Sequence, residues 1–250
     1  MIMVCECWKA FCHSAALLLC MLCYGSTRLS SSATIAFFSF FLFIVLLLLI
    51  VFHLDMEDNH TFLYFAYGSN LLKERLQLRN PSATVFCVAQ LKDYKLVFGN
   101  YKGLASERWQ GGVATIEHSP GDEVWGVVWR MNTSDLESLD SQENVTLGAY
   151  SPAQLAVKAK GQDLSCRTYI MNSCVYAPPS PQYLQVIMMG AEQNGLPKDY
   201  QEKLRAITTN MYKGPLPMMA ELDRVRRAKE RDLQDYQDFG SSKNQVHFLL

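Results

Sequence analysis

Three observations in residues 56–212 predict an α+β domain. Apolar, β-rich runs succeed one another with few helical patterns between them, which favours a largely antiparallel or mixed sheet over repeated βαβ units. Turn residues separate the runs at Asn80-Pro81, Gly111-Gly112, Ser119-Pro120-Gly121-Asp122 and Lys160-Gly161-Gln162-Asp163. Within Glu123 to Arg130, the side chains of Trp125, Val127 and Trp129 share one face at a period of two, as in a strand lining a core or barrel interior.

The chain has 250 residues and a formal net charge of −1, and its first 55 residues differ sharply from the rest. Ile35 to Leu54 contains no Asp, Glu, Lys or Arg and matches the ~20 residues that cross a bilayer as a helix, so residues 35–54 are a candidate transmembrane span. A shorter apolar patch, Ala15 to Cys23, precedes it. A secretory signal fits poorly, because the apolar stretch is too long and no small-residue cleavage site follows before Asp55-Met56-Glu57-Asp58.

The remainder is long enough to bury a single core. Its strand-like runs are Phe62 to Tyr67, Val85 to Phe98 with an interruption near Lys92-Asp93, Gly112 to Glu117, Glu123 to Met131, Gln154 to Ala159 and Leu164 to Tyr176. After Met131 the segment Thr133 to Glu143 reads as a short helix. It opens with a capping box, Ser134 to Glu137, and carries Leu136, Leu139 and Val145 as an apolar stripe. Residues 213–250 form a charged, partly helical tail. Its basic run Arg224 to Arg231 is interleaved with Glu221, Asp223, Asp232 and Asp235, the pattern of a solvated helix with local ion pairs.

Composition narrows the function. Charge is nearly balanced in the domain, so no broad field for nucleic acid is present. Five of the eight cysteines lie in the leader, and the scattered Cys87, Cys166 and Cys174 do not make a disulfide framework. His60, His118 and His247 lack paired ligand spacing, so no metal or cofactor is expected. A thiol hydrolase would need one of those cysteines to meet His118, and their local sequences give it no support.

Chemistry concentrates in two places. Phe62 to Tyr67 is an apolar run that stops at Gly68-Ser69-Asn70, before the helix-like Leu71-Leu72-Lys73-Glu74-Arg75-Leu76. Gly68 permits close backbone approach, Ser69 or Asn70 can cap the helix, and the free N–H groups with the helix dipole favour a carboxylate, phosphate or developing oxyanion. The same pattern also describes an ordinary capped turn. Glu143 falls at the C-terminal end of the short helix, where the dipole disfavours negative charge and raises a carboxyl pKa toward that of a useful general base. The alternative for that residue is a solvated glutamate.

Taken in order, Tyr67-Gly68-Ser69-Asn70-Leu71, Pro120-Gly121-Asp122-Glu123-Val124-Trp125-Gly126, Leu139-Asp140 with Gln142-Glu143, and Ala177-Pro178-Pro179-Ser180-Pro181-Gln182-Tyr183 resemble the gamma-glutamylcyclotransferase family. Asn194-Gly195-Leu196-Pro197 and Tyr200-Gln201-Glu202-Lys203-Leu204 extend the resemblance, which runs from about Phe62 to Asn210. It implies a mixed-sheet, barrel-like fold flanked by helices, usually a homodimer, acting on gamma-glutamyl amino acids to release 5-oxoproline and a free amino acid. Glu143 matches the family's general acid/base. By the same match Tyr64, Phe65, Ala66, Tyr67, Gly68 and Ser69 line the substrate site, and Tyr183 contributes from across it. A cyclotransferase for glutathione or a gamma-glutamyl-lysine compound is the near alternative. A catalytically weak, membrane-anchored binding module is the distant one.

The chain departs from the family at Ser141, where glutamate is common, and at Asn144, where glycine is. Asn tolerates a left-handed backbone better than most residues, so the turn after Glu143 is expected to survive. Asn59-His60-Thr61, Asn132-Thr133-Ser134 and Asn144-Val145-Thr146 match the N-glycosylation pattern, and a glycan on Asn144 would obstruct the site. A cytosolic domain is therefore expected. Residues 1–55 are then either a membrane anchor of one isoform or an upstream extension absent from the main product, and a membrane is a partner only if they are retained.

Overall fold

A computed structural model describes residues 42–46, 60–228 and 230–231. The chain divides into two compact units, Met1–Glu57 and Asp58–Leu250. In the first, residues 42–46 are helical, and the rest of the candidate span 35–54 lies outside the described residues. Among the described residues no helix is long and apolar enough to cross a membrane.

The second unit contains β1 (Thr61–Ala66), α1 (Lys73–Gln77), β2 (Thr84–Tyr101), β3 (Val113–Asn132), α2 (Leu136–Gln142), β4 (Tyr150–Ala159), β5 (Gln162–Met171), β6 (Cys174–Tyr176), α3 (Pro181–Gln193) and α4 (Lys198–Arg205). A further helix, α5, covers 217–228. Around the sheet the order is β3, β1, β5, β4, β2, and β2 pairs again with β3, which closes five strands into a barrel; β6 adds to β2. The barrel is mixed, because β1 and β5 run parallel through Tyr64 and Arg167 while the other pairings are antiparallel.

A long β2–β3 hairpin makes the closure. Register shifts between Val85 and Cys87 and between Lys92 and Tyr94 bend it, as bulges do where a sheet must curl. The second irregularity corrects the expected break at Ser119 to Asp122. Lys92 faces Glu123 and Tyr94 faces His118, so those four residues bulge opposite Asp93 and the strand continues through them. Gly121 takes φ +86° there, and its N–H donates to Asp93 Oδ1 at 3.0 Å. The two predicted strands Gly112 to Glu117 and Glu123 to Met131 are thus one. Conversely, the predicted run Leu164 to Tyr176 is two strands, divided at Ser173 with φ +46°. Beyond it β6 lies against Gly99, where a side chain's Cβ would stand 2.6 Å from the Val175 carbonyl oxygen.

Over residues 124–129 both faces of β3 are buried: Val124, Val127, Val128 and Trp129 have no exposed surface. The Trp125, Val127 and Trp129 face is core, as the period of two predicts, with Trp125 half-buried. Helix α3 covers one side through Tyr183, Val186, Ile187, Gly190 and Ala191, the spacing of a single apolar stripe.

Two helix starts differ from expectation. Ser69–Leu71 forms a 3-10 turn, Leu72 is extended (φ −80°, ψ 121°), and α1 begins only at Lys73 without a side-chain cap. That extended residue separates the turn from the helix, and Leu71 and Leu72 both reach the core. Similarly, Ser134 lies in a 3-10 turn, Thr133–Asp135, and no side chain caps α2. Asp135 is committed elsewhere, accepting from the Ser82 N–H and hydroxyl at 3.1 and 2.6 Å. In the tail, Arg224 Nε donates to the backbone carbonyl of Ala220 at 3.4 Å, and Asp232 and Asp235 lie outside the described residues.

Gly190 lets α3 rest its bare backbone on the turn after β1. A Cβ there would stand 2.4 Å from the Leu72 nitrogen and 2.5 Å from the Leu71 carbonyl carbon. Gly190→Ala is therefore expected to destabilise the fold by about 1–3 kcal/mol, the usual cost of overpacking. The urea midpoint should fall at unchanged slope; an unmoved midpoint would mean that the close approach is not a packing requirement.

Candidate active site

The site is assembled from the end of β1, the end of α2 and the start of α3. Tyr64, Tyr67, Gly68, Ser69 and Asn70 form one wall, and Glu143, Ala114, Tyr150, Tyr169 and Tyr183 complete a narrow cavity of about 40 Å³. Five of the sequence-predicted residues therefore meet with Glu143: Tyr64, Tyr67, Gly68, Ser69 and Tyr183. Phe65 and Ala66 do not line the cavity. They are fully buried in the strand behind it, with Phe65 on the opposite face of β1 from Tyr64.

Gly68 is required by crowding, since a Cβ would lie 3.1 Å from Ala114 Cβ and 3.3 Å from the Tyr183 hydroxyl. Its φ of −110° is not left-handed. Tyr183 is placed by the start of α3: Ser180 caps the helix by accepting the Tyr183 N–H at 3.2 Å, and Pro181 supplies the first helical residue. The phenol then accepts the Ala114 N–H at 3.0 Å.

Glu143 ends α2 and is half-buried. Asn144 takes φ +52° in the left-handed turn that follows, its N–H donating to the Ser141 carbonyl at 3.1 Å, so asparagine does support this turn. The Glu143 carboxylate accepts from Asn70 Nδ2 at 3.0 Å and from Gln142 Nε2 at 3.5 Å. Asn70 is therefore not a helix cap. Its amide also donates to the Tyr64 hydroxyl at 3.0 Å, while its Oδ1 accepts from Gln142 Nε2 at 2.9 Å. Gln142 Oε1 in turn accepts from Asn80 at 3.3 Å and from Arg75 Nη1 at 3.4 Å. Asn70, Arg75, Asn80 and Gln142 are all buried.

Burial lifts the Glu143 carboxyl above its ordinary value, against the opposing pull of the Arg75 guanidinium, the hydrogen bonds from Gln142 and Asn70, and Arg108. Burial likewise pushes the Tyr64, Tyr67 and Tyr150 phenols well up and Tyr183 to about 12, so all four stay protonated. Their protons have different destinations. Tyr67 donates to the Tyr169 carbonyl and Tyr150 to the Ala114 carbonyl at 2.8 Å, because a carbonyl can only accept. Tyr64 and Tyr183 instead accept from N–H groups and keep a proton to offer. The site thus presents donors and acceptors together, which suits a ligand bearing both a carboxylate and an ammonium.

A second clamp holds the far wall. Arg167 Nη2 grips both Asp140 oxygens at 2.6 and 2.9 Å, its Nε donates to the Tyr169 hydroxyl at 2.9 Å, and that hydroxyl donates to Asp140. Tyr150 and Tyr169 escaped sequence reasoning because tyrosine in a strand is ordinary core; only the barrel register brings them beside Glu143. Asn70 stood inside a recognised motif but was assigned to capping.

Comparison with known proteins bears on what this cavity does. Residues 123–204 match the AIG2-like family. The chain is 60% identical over 161 residues to the gamma-glutamylcyclotransferase of Mus musculus, covering 64% of this chain and 86% of that protein. To the gamma-glutamylcyclotransferase of Homo sapiens it is 54% identical over 177 residues, 70% of this chain and 94% of that protein. A solved structure described as gamma-glutamyl cyclotransferase superposes with a TM-score of 0.64 at 54% identity, covering 66% of this chain and 99% of the other.

Arg75 opposes the burial of Glu143, so replacing it with methionine should raise the Glu143 carboxyl further from the ordinary ~4.3. Carbon-detected NMR titration of the side chain would report it. A midpoint that stays put or falls in Arg75→Met would show that the guanidinium does not stabilise the carboxylate.

Proposed function

Because this chain belongs to the gamma-glutamylcyclotransferase family, and so is an enzyme of that activity, we propose that its tyrosine-walled cavity folds a gamma-glutamyl amino acid for cyclisation to 5-oxoproline with release of the free amino acid. The observation that carries the proposal is Glu143: a half-buried carboxyl with a raised pKa, held by Asn70 at 3.0 Å inside that cavity.

The substrate's α-nitrogen attacks its own γ-carbonyl carbon, the lactam C–N bond forms, and the isopeptide C–N bond breaks. Two protons leave the α-ammonium and two arrive on the departing nitrogen, so no outside acid or base is consumed. Glu143 accepts each from the first nitrogen and delivers it to the second, a role for which a carboxyl pKa nearer neutrality is better matched than an ordinary one. Ser69 and Asn70 stand at the head of their 3-10 turn, where no carbonyl of that turn can receive their N–H groups. Those N–H groups face the oxyanion that develops at the γ-carbonyl. Tyr64 and Tyr183 donate to the substrate α-carboxylate, and Tyr67 and Tyr150 accept from the α-ammonium. Holding the glutamyl chain folded supplies the proximity term, up to roughly 7–11 kcal/mol in favourable intramolecular systems.

The domain is proposed to work in the cytosol as a homodimer on small gamma-glutamyl substrates. Its described cysteines, Cys87, Cys166 and Cys174, are free thiols, which accords with a reducing compartment.

Glu143→Gln should remain folded and lose about 10²- to 10⁴-fold in kcat with KM little changed, as expected when a general acid/base is removed. The assay is 5-oxoproline release from gamma-glutamyl-alanine, beside glutathione and a gamma-glutamyl-lysine amide. Release only from the latter two would reassign the leaving group, and release from none by the folded protein would favour a binding module. In the active enzyme, kcat/KM should fall as pH drops through the raised Glu143 pKa, placing the acid limb above the ordinary carboxylate value of about 4.3. An acid limb at or below that value would remove Glu143 as the base.

A further inference from the structure

A second cavity, about 360 Å³, shares no wall residue with the catalytic one. That volume lies in the roughly 300–1,000 Å³ range of small-ligand pockets. Arg75, 2% exposed, reaches it from α1, and its Nε has no hydrogen-bond partner. Arg79 and Arg108 stand exposed at the rim, with Glu107 from the β2–β3 connection and Glu221 from α5. Among the described residues, none of the three guanidiniums makes an ion pair with a carboxylate.

Burying a guanidinium without a carboxylate in direct contact is costly, and the 3.4 Å contact with the Gln142 amide, the Trp109 ring 6.0 Å away and the Glu143 charge beyond that amide compensate it only in part. An anionic ligand would supply the direct contact. Two glutamates on the same cavity argue against a simple anion, because they would repel one; they complement a ligand that also carries an ammonium. We propose that this cavity binds a free α-amino acid, its carboxylate toward Arg75, Arg79 and Arg108 and its ammonium toward Glu107 and Glu221. The released product of the proposed reaction belongs to that class. That connection rests on the proposed function, whereas the binding itself does not.

The test is calorimetric titration of the full chain with L-alanine, beside succinate, which has two carboxylates and no ammonium. Wild type and Glu143→Gln should bind alanine alike. The exposed double variant Arg79→Gln with Arg108→Gln should bind it at least about ten-fold more weakly, since charged hydrogen bonds are lost. Glu221→Gln should weaken alanine and, by removing a repelling charge, strengthen any binding of succinate. No saturable binding by wild type, binding indifferent to the double variant, or succinate matching alanine would each overturn the proposal. If the cavity instead seats the carboxyl end of bound substrate, Arg79→Gln alone raises KM for gamma-glutamyl-alanine; an unchanged KM is expected, and a raised one overturns a separate site. Alanine binding without any 5-oxoproline release would reject the proposed reaction and leave this site standing.

Discussion

The hydrogen bond from Asn70 to Glu143 joins two parts of the chain that are 73 residues apart, and the architecture around it follows from the need to keep that carboxyl half out of water. A buried carboxyl demands partners for each oxygen and a compensating charge nearby. Asn70 and Gln142 both donate to one of the two oxygens, Oε1. Arg75 supplies the compensating charge without a direct ion pair, since it reaches Gln142 and not Glu143. A direct guanidinium contact would pull the pKa down and leave a poor base. With one amide between them, the carboxyl stays raised and remains tied to the fold.

Such an arrangement needs accurate placement of the elements that carry it, and close backbone approach provides it. Gly190 seats α3 on Leu71 and Leu72, Gly68 brings its backbone under Tyr183, and the Ser180 cap fixes where the helix starts. The barrel provides the frame, since β1 pairs with β3 on one side and β5 on the other, and Tyr64 and Tyr169 meet edge to face at a 5.8 Å centroid separation. The Arg167 and Asp140 clamp then holds the Tyr169 phenol, leaving its carbonyl for Tyr67. Protein interiors pack densely enough that these contacts are mutually reinforcing.

Much of this was legible in the sequence, unevenly and for physical reasons. The strand runs, the Gly68-Ser69 turn and the place of Glu143 at the end of the short helix announce themselves by local pattern and by resemblance. Element boundaries were harder to read: Ser119 to Asp122 has every mark of a turn, and in the fold it is a bulge, because a strand already paired before and after it loses little by carrying three extra residues past Asp93. Asn70 shows a different limit. Its side chain suits a cap or a hydrogen-bonded core equally, and only the arrival of α2 decides between them. Tyr150 and Tyr169 become site residues through register alone, which no local window contains.

The raised Glu143 pKa also sets a conflict between catalysis and stability. A native carboxyl that binds its proton more tightly than the unfolded chain does leaves the folded state holding more protons between the two pKa values. Stability is then full below the unfolded value, declines as pH rises toward the folded one, and stays lower above it. In the proposed reaction the ionised form is nevertheless the one that accepts the substrate's proton. At neutral pH the fold therefore carries an ionised carboxylate in surroundings that favour its neutral form, and the Arg75, Gln142 and Asn70 network limits that penalty without removing it. Removing it entirely, by a direct ion pair or by full exposure, would return Glu143 to an ordinary carboxylate, more stable and less able to move a proton between two amines.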